Sequence, residues 1–588
     1  MNRRPRWLPG DLVPRLVAPV AEKVDRSVGW DRLSTRMGIV ALLGIRHRLR
    51  ERNLYDTRRP APAAAAPASV GARAGARTLD GTGTDPADPC MGALRTPFGR
   101  NTPPLEDRDG PPAQAVSDAL LLRTEFFPAE TLNLLAAAWL QFEVHDWFAH
   151  ATTDYDPTYV ARHQDDVADP RPLVTDPETG RRPAPFVSDQ THWWDASQLY
   201  GARPDFEEAV RVDGTWRVKD DLDLIQAMEE FTGGGGVAAS APNLWLGTAL
   251  FHILFAREHN AIGAILAEAH PTWDDQRVFD KARLINAAVM AKIHTVEWTP
   301  AVVAHPAAAA GARKSWFGVV SREHRPLLAR FRDEVLTGIP GSRLDHDGAP
   351  YALTEEFVAV YRMHQLIPDE VAFREVRTGR DLGSCGMEEI TIEHGDVERP
   401  RIKLDDIGCA NAVYSLAIAH PGEITLHNHP RFLRRYKAAD GQGLTIDLGM
   451  VDILRTRQTA VPRYNDFRRL FRLQPAGSFH EIANGNPKWA KEIRDVYDTV
   501  DDVDLLIGMY AERKPKGFAF SDTAFRVFLL MAARRLRSDR FFTTDYTAEV
   551  YTPEGLRRIE EATLAGMLER HFDGLGPVPE NVFAPWPA

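Results

Sequence analysis

The chain has 588 residues, enough for a large buried core, and its 44% hydrophobic and 26% charged residues are ordinary globular values. A formal charge of −11 argues against nucleic acid as a main partner. Three widely spaced cysteines, Cys90, Cys385 and Cys409, make neither a disulfide framework nor a CxxC metal site, and they suit a reducing, cytoplasmic compartment.

Residues 1–59 hold fourteen Lys/Arg against six Asp/Glu, a net of +8 that leaves −19 on the remainder. No apolar core follows the basic start, so no secretory signal is expected, and the early apolar run 37–45 is too short to span a bilayer. Residues 1–57 read as a basic helical arm. Its segment from Leu33 to Arg52 mixes an apolar stripe with arginines. Such a helix either makes a peripheral contact with an anionic membrane or docks on the main body, and the pattern leaves both open. Residues 58–89, opening Pro60-Ala61-Pro62, read as a Pro/Ala/Gly-rich linker. From 90 to 588 no comparable break occurs, which predicts one large domain, mainly α with few short strands. Helices are expected from Ala129 to His150 after Phe127-Pro128, from Asn243 to His270, and from Phe279 to Trp298 before Pro300. Further helices are expected from Glu355 to His364 and from Ser521 to Arg537.

The chemistry begins in the first of these. Gln141 and His145 stand four apart, so they share a helix face continued by Leu134 and Ala138. A glutamine and a histidine on an apolar face suit the distal side of a haem. Asp146 points about 100° away. In Thr191-His192-Trp193-Trp194-Asp195-Ala196-Ser197, alternate residues Thr191, Trp193, Asp195 and Ser197 would point one way from an extended chain. Hydroxyls, carboxylates and carbonyls are the hard oxygen donors calcium prefers, and Asp146 would add a second carboxylate. Further on, Tyr361 precedes His364 by three residues, a spacing that places both on one helix face. If the histidine ligates a haem iron, the phenol lies beside the haem edge, where it can be oxidised to a radical.

The Gln-x-x-x-His-Asp run, the Thr-x-Trp-x-Asp-x-Ser run, Arg257-Glu258-His259-Asn260 and Tyr361-Arg362-Met363-His364 occur in this order in the animal-type haem peroxidase superfamily. Within it the chain resembles the fatty acid α-dioxygenases. The more specific matches are Phe98-Gly99-Arg100-Asn101, the run from Lys292 to Thr299, Val461-Pro462-Arg463-Tyr464-Asn465 and Asp539-Arg540-Phe541-Phe542-Thr543.

The resemblance implies a haem peroxidase-like helical fold. It makes His145 the distal histidine with Gln141 as its partner, His364 the proximal iron ligand and Tyr361 the catalytic radical. It gives calcium to Asp146, Thr191, the Trp193 carbonyl, Asp195 and Ser197. The substrate carboxylate falls to His294, Thr299 and Arg540, and an arginine fork does pair bidentately with a carboxylate. On a continuous α-helix His294 and Thr299 would stand about 140° apart, so a break at Pro300 is expected to turn Thr299 inward. Val144 stands where related peroxidases carry an acidic residue that bonds the haem, so non-covalent haem b is expected. Asp452 is the expected partner of the proximal histidine. Three scattered cysteines leave no room for the disulfide-rich module of the cyclooxygenase branch. The implied reaction takes a long-chain fatty acid and molecular oxygen to the 2-hydroperoxy acid. The alternatives are a haem peroxidase oxidising small donors and a non-catalytic haem- or calcium-binding scaffold.

Overall fold

The helix bearing the distal residues starts later than Pro128 suggests. In the computed structural model, which describes residues 9–55, 75–105, 110–150, 186–233, 244–320, 333–391, 404–437 and 445–587, it runs Leu134–Trp147. Asn133 precedes it in extended conformation and does not cap it. Its side-chain amide instead donates to the carbonyls of Val582 (2.7 Å) and Ala584 (2.8 Å), tying the C-terminal segment to this helix. Residues 134–140 are all buried, as befits a helix that is apolar on every side. It packs on the helix Leu246–Ala269, which packs on Asp275–Ile293. Asp274 caps the last of these, accepting from the Arg277 amide at 2.7 Å. The described strands form two small antiparallel pairs, Glu370–Arg374 with Asp381–Gly386 and Tyr436–Lys437 with Thr445–Ile446. The expectation of a mainly α fold with few short strands holds.

Two sequence runs singled out above turn out to be scaffold. Glu258 is fully buried and binds Arg558 through two 2.7 Å bonds and His571 at 2.8 Å. Burial alone would raise its carboxyl, but His571 and Arg558 outweigh that and hold it at about 2. The Phe98–Asn101 run clamps a later helix, Glu355–Val360. Thr354, the N-cap of that helix, donates to Asn101 Oδ1 at 2.6 Å, and Glu356 accepts from the Asn101 amide at 2.8 Å.

The N-terminal arm is part of the body. Helices Pro9–Ser27 and Thr35–Arg52 pack on one another, and the second packs on Pro306–Phe317 and Asp522–Arg537. Glycines let the backbones approach: a Cβ at Gly44 would lie 2.7 Å from Ala21 Cβ, and one at Gly38 would lie 2.7 Å from Ala307 Cβ. Glu334 anchors the second helix, bound by Arg50 (2.6 Å), Arg46 (3.2 Å) and Arg537 (2.5 Å). Burial opposes its ionisation, yet the three guanidiniums hold the carboxyl far below its ordinary range. Of the two readings of Leu33 to Arg52, docking describes its apolar face, where Ala41, Leu42, Ile45 and Leu49 are buried. The linker expectation needs correcting at its end. Residues 75–89 are packed on the body, with Arg77 bonded to buried Asp539 at 2.7 Å, while 58–74 lie outside the described residues. Among the described residues no helix is long and apolar enough to cross a membrane.

Candidate active site

Tyr361 and His364 do not share a helix face. The helix Glu355–Val360 ends at Tyr361, whose φ of −91° and ψ of 9° form the C-cap, and His364 opens a separate 3₁₀ turn, His364–Leu366. What fixes the phenol is an aromatic collar. Its ring centroid lies 4.4 Å from Phe357, 6.1 Å from Phe148, 6.2 Å from Trp147 and 6.3 Å from Phe528. Burial pushes the Tyr361 phenol well above its ordinary value, so at neutral pH it keeps its proton.

His364 Nδ1 lies 2.8 Å from Asp452 Oδ2, on the helix Leu448–Gln458. Asp452 is the expected partner. Burial opposes its ionisation, but His364 and Arg362 prevail and hold the carboxyl at about 2. With Nδ1 facing a carboxylate, Nε2 is the atom that can ligate iron. A third group stands here that the sequence did not single out. The ring of His429 lies 5.6 Å from that of His364 at 72°, is 2% exposed, and neither nitrogen has a side-chain hydrogen-bond partner. Arg362 Nη2 is likewise buried without a partner. A ligand histidine backed by a carboxylate, with unpaired polar atoms around it, fits a haem.

Gln141 and His145 lie four apart on Leu134–Trp147. The side chain of His145 lies outside the described residues. Val144 is apolar and packs against the core. Between these residues stands Glu143, fully buried, with Oε2 accepting from Gln198 at 3.1 Å. Burial pushes its carboxyl up to about 8, so it is protonated at neutral pH.

The expected calcium donors come together. Ser197 Oγ donates to Asp146 Oδ1, Thr191 Oγ1 donates to Asp195 Oδ2 at 2.9 Å, and Asp195 Oδ1 accepts from the Ser197 amide at 3.2 Å. Asp146 Oδ2 has no hydrogen-bond partner. Burial, then the charge of Asp195, pushes the Asp146 carboxyl up to about 7. Two buried carboxylates side by side, with Asp146 raised by its neighbour, fit a divalent cation. The Trp193 carbonyl accepts from Arg535 Nη2 at 2.6 Å, and the same nitrogen lies 3.6 Å from Asp146 Oδ2. A guanidinium thus covers part of the donor set.

The expected break at Pro300 is absent. After Asp275–Ile293 the helix passes into a wider π turn, His294–Trp298, and resumes as Thr299–Val302. An i→i+5 turn stacks residues five apart. It therefore does what the break was expected to do, and His294 and Thr299 line one apolar cavity. Leu42, Val303, Phe525, Phe528 and Leu529 are among its walls. Trp139 Nε1 donates to His294 Nδ1 at 3.1 Å, which leaves the ring proton on Nε2. Burial, then the charge of Arg535, holds His294 well below its ordinary value, so the ring is neutral. Thr299 Oγ1 is buried without a hydrogen-bond partner.

Arg540 does not join this set. It lies beyond the helix Asp522–Arg537, 3.4 Å from Asp545 and stacked 4.6 Å over Phe541. Arg535 is the arginine whose charge reaches His294. Its guanidinium lies 4.5 Å over Trp147 and 5.0 Å over Trp194, and its charge acts on both His294 and Tyr361. Its Nε and Nη1 are buried without partners.

A helical fold that carries a carboxylate-backed histidine and, on a separate buried helix, a Gln/His pair suits a haem peroxidase. A family model for animal haem peroxidases matches residues 76–583, and the chain belongs to that family. Within it the chain belongs with the alpha-dioxygenases. Alpha-dioxygenase 1 of Capsicum annuum is 32% identical over 584 residues, covering 95% of this chain and 89% of the relative. Alpha-dioxygenase PIOX of Oryza sativa subsp. japonica is 34% identical over 520 residues, covering 84% and 83%. The crystal structure of an Oryza sativa fatty acid alpha-dioxygenase superposes with a TM-score of 0.84 at 29% identity, covering 98% of this chain and 97% of that one. A tyrosine-to-phenylalanine variant of the Oryza sativa protein, solved with palmitic acid, matches equally well.

Proposed function

We propose that this chain oxygenates long-chain fatty acids at the α-carbon by a radical carried on Tyr361. One observation carries the reading: Phe528 packs on Tyr361 and also lines the apolar cavity that holds His294 and Thr299. The radical residue and the acyl-chain site are therefore neighbours. Non-covalent haem b, held by His364, supplies the one-electron oxidising chemistry when bound. His145 moves a peroxide proton, with Gln141 as its partner. Neutral His294 and Thr299 offer N–H and O–H donors to the substrate carboxylate, and Arg535 supplies the positive charge. Fixing the carboxylate places the α-carbon. The Tyr361 radical takes one α-hydrogen, oxygen adds to the carbon radical, and the peroxyl group recovers a hydrogen atom from the Tyr361 phenol. The product is the 2-hydroperoxy acid, and the radical returns to Tyr361. The test is oxygen uptake with palmitate and no added reductant. Rapid uptake supports the reading, and dependence on an added donor marks a small-molecule peroxidase instead.

Calcium is the cation we assign to Asp146, Asp195, Thr191, Ser197 and the Trp193 carbonyl. Asp146 must lose its proton to bind it. A carboxyl raised to about 7 in the fold takes up a proton that the unfolded chain, near 3.8, does not. In calcium-free protein its contribution to stability therefore falls as pH rises from about 4 to about 7. Calcium reverses this, so the rise in Tm on adding calcium is expected to be larger at pH 8 than at pH 5.5, measured by thermal melts with and without chelator. An equal rise at both values would remove Asp146 from the site.

We also assign a peripheral lipid contact to the first two helices. Leu16, Val20, Met37 and Val40 are exposed apolar residues on them, with Arg15, Lys23 and Arg36 exposed beside them. Sedimentation with anionic vesicles is expected, and Leu16→Ser with Val20→Ser should abolish it. Binding unchanged by that pair would place the contact elsewhere.

A further inference from the structure

A buried imidazole with both nitrogens unpaired is costly and asks for a partner. His429 comes close to this: neither ring nitrogen meets a side-chain partner, and the Pro430 carbonyl acts on the ring. It sits in the turn after Leu426, with its backbone amide bonded to the Leu121 carbonyl at 3.0 Å, so its place is fixed by the chain and not by its own ring. His364, His429 and Asp452 each offer one ligand-type atom, and these lie within 4.8 Å of one another. The charged groups that act on the His429 ring are His364, Asp452 and Asp447. Asp447 is engaged by Arg434 (3.0 Å), Ser117 (2.8 Å) and the amides of Gly449 and Met450. Asp452 is met by His364 at 2.8 Å and, more loosely, by Arg362 at 3.5 Å.

We propose that His429 is a positioning residue of the proximal site, donating a ring N–H to Asp452 and so limiting how strongly that carboxylate pulls on His364. An imidazole always carries at least one ring N–H, and the ligand atoms of His429 and Asp452 lie within 4.8 Å of one another, so the bond forms when the ring turns toward the carboxylate. A carboxylate behind a ligand histidine makes that histidine more basic and a stronger donor to the metal. A second N–H on the same carboxylate drains part of that charge. The ligand then donates less, and the iron is held at a higher reduction potential. A radical mechanism gains from this, because the phenol must be oxidised by the iron centre. The inference rests on His364 as the iron ligand.

The test is the ferric/ferrous midpoint potential of the haem-loaded protein, read by spectroelectrochemical titration. His429→Phe removes the donor and is expected to lower the potential. His429→Gln keeps an N–H and is expected to stay near the native value. His429→Ala replaces the Phe variant if that one does not fold. The same substitutions in an Asp452→Asn background should have no effect, since the residue acts through that carboxylate. Either of two results overturns the proposal: a native potential in the Phe or Ala variant, or a shift that persists in the Asp452→Asn background. Failure of the underlying assignment shows separately, as a native haem spectrum in His364→Ala.

Discussion

Tyr361→Phe is expected to keep the haem absorption spectrum and the melting temperature while losing fatty acid oxygenation by a factor of about 10³ or more, a barrier increase of at least roughly 4 kcal/mol. The substitution removes one oxygen from a ring held by Phe357, Phe148, Trp147 and Phe528, and the phenyl ring fills the same collar. Folding should therefore be little changed. Chemistry should be lost outright, because a phenyl ring has no O–H bond to break and reform. Oxidation of a small donor by peroxide needs only the haem and should survive. The measurement is paired: oxygen uptake on palmitate, and peroxide-driven oxidation of a soluble donor. Native oxygen uptake in the variant would move the radical to another residue.

The second large effect concerns the carboxylate. Arg535→Ala is expected to lower kcat/KM for palmitate by about 10- to 100-fold, the loss of one or two hydrogen bonds to a charged group at roughly 1.5–3 kcal/mol. Arg540→Ala, at the neighbouring site against Asp545, is expected to change it by less than about threefold. Arg535→Lys keeps the charge but not the fork and should fall between. Because Arg535 also lies over Trp147 and Trp194 and touches the cation donors, its removal alone is not a clean measure of anchoring. The control is a fatty alcohol of the same length. If its rate falls as far as that of palmitate, the arginine holds the site together and does not read the carboxylate.

Much of this site can be read in the sequence, because its parts are local. Thr191, Asp195 and Ser197 announce themselves by short spacings, as do Tyr361 and His364, although the latter two do not share the helix face that their spacing suggests. Where the reading failed, the cause is contact between distant segments or a departure from ideal geometry. Four arginines crowd between 534 and 540, and the run Asp539–Thr543 drew attention to the last. Helix phase points to another: Phe528, Ala532 and Arg535 stand at i, i+4 and i+7, so one face carries the cavity wall and the guanidinium. His429 had no such cue, since its meeting with His364 and Asp452 depends on how three remote segments pack. Pro128 misled for a similar reason. Proline suits a first helical turn, but Asn133 is held by the C-terminal carbonyls, and the helix begins only after it.

The π turn at His294–Trp298 makes the distance between two donors a matter of counting. It stores one residue more than an α turn would use. Closing that turn into regular α geometry without changing the chain length would rotate everything after it by about 100°. Thr299 would leave the cavity with no side chain altered. The substrate head group is thus read by a phase offset along one helix. A point substitution can weaken either donor, but only a change of helix phase can separate them.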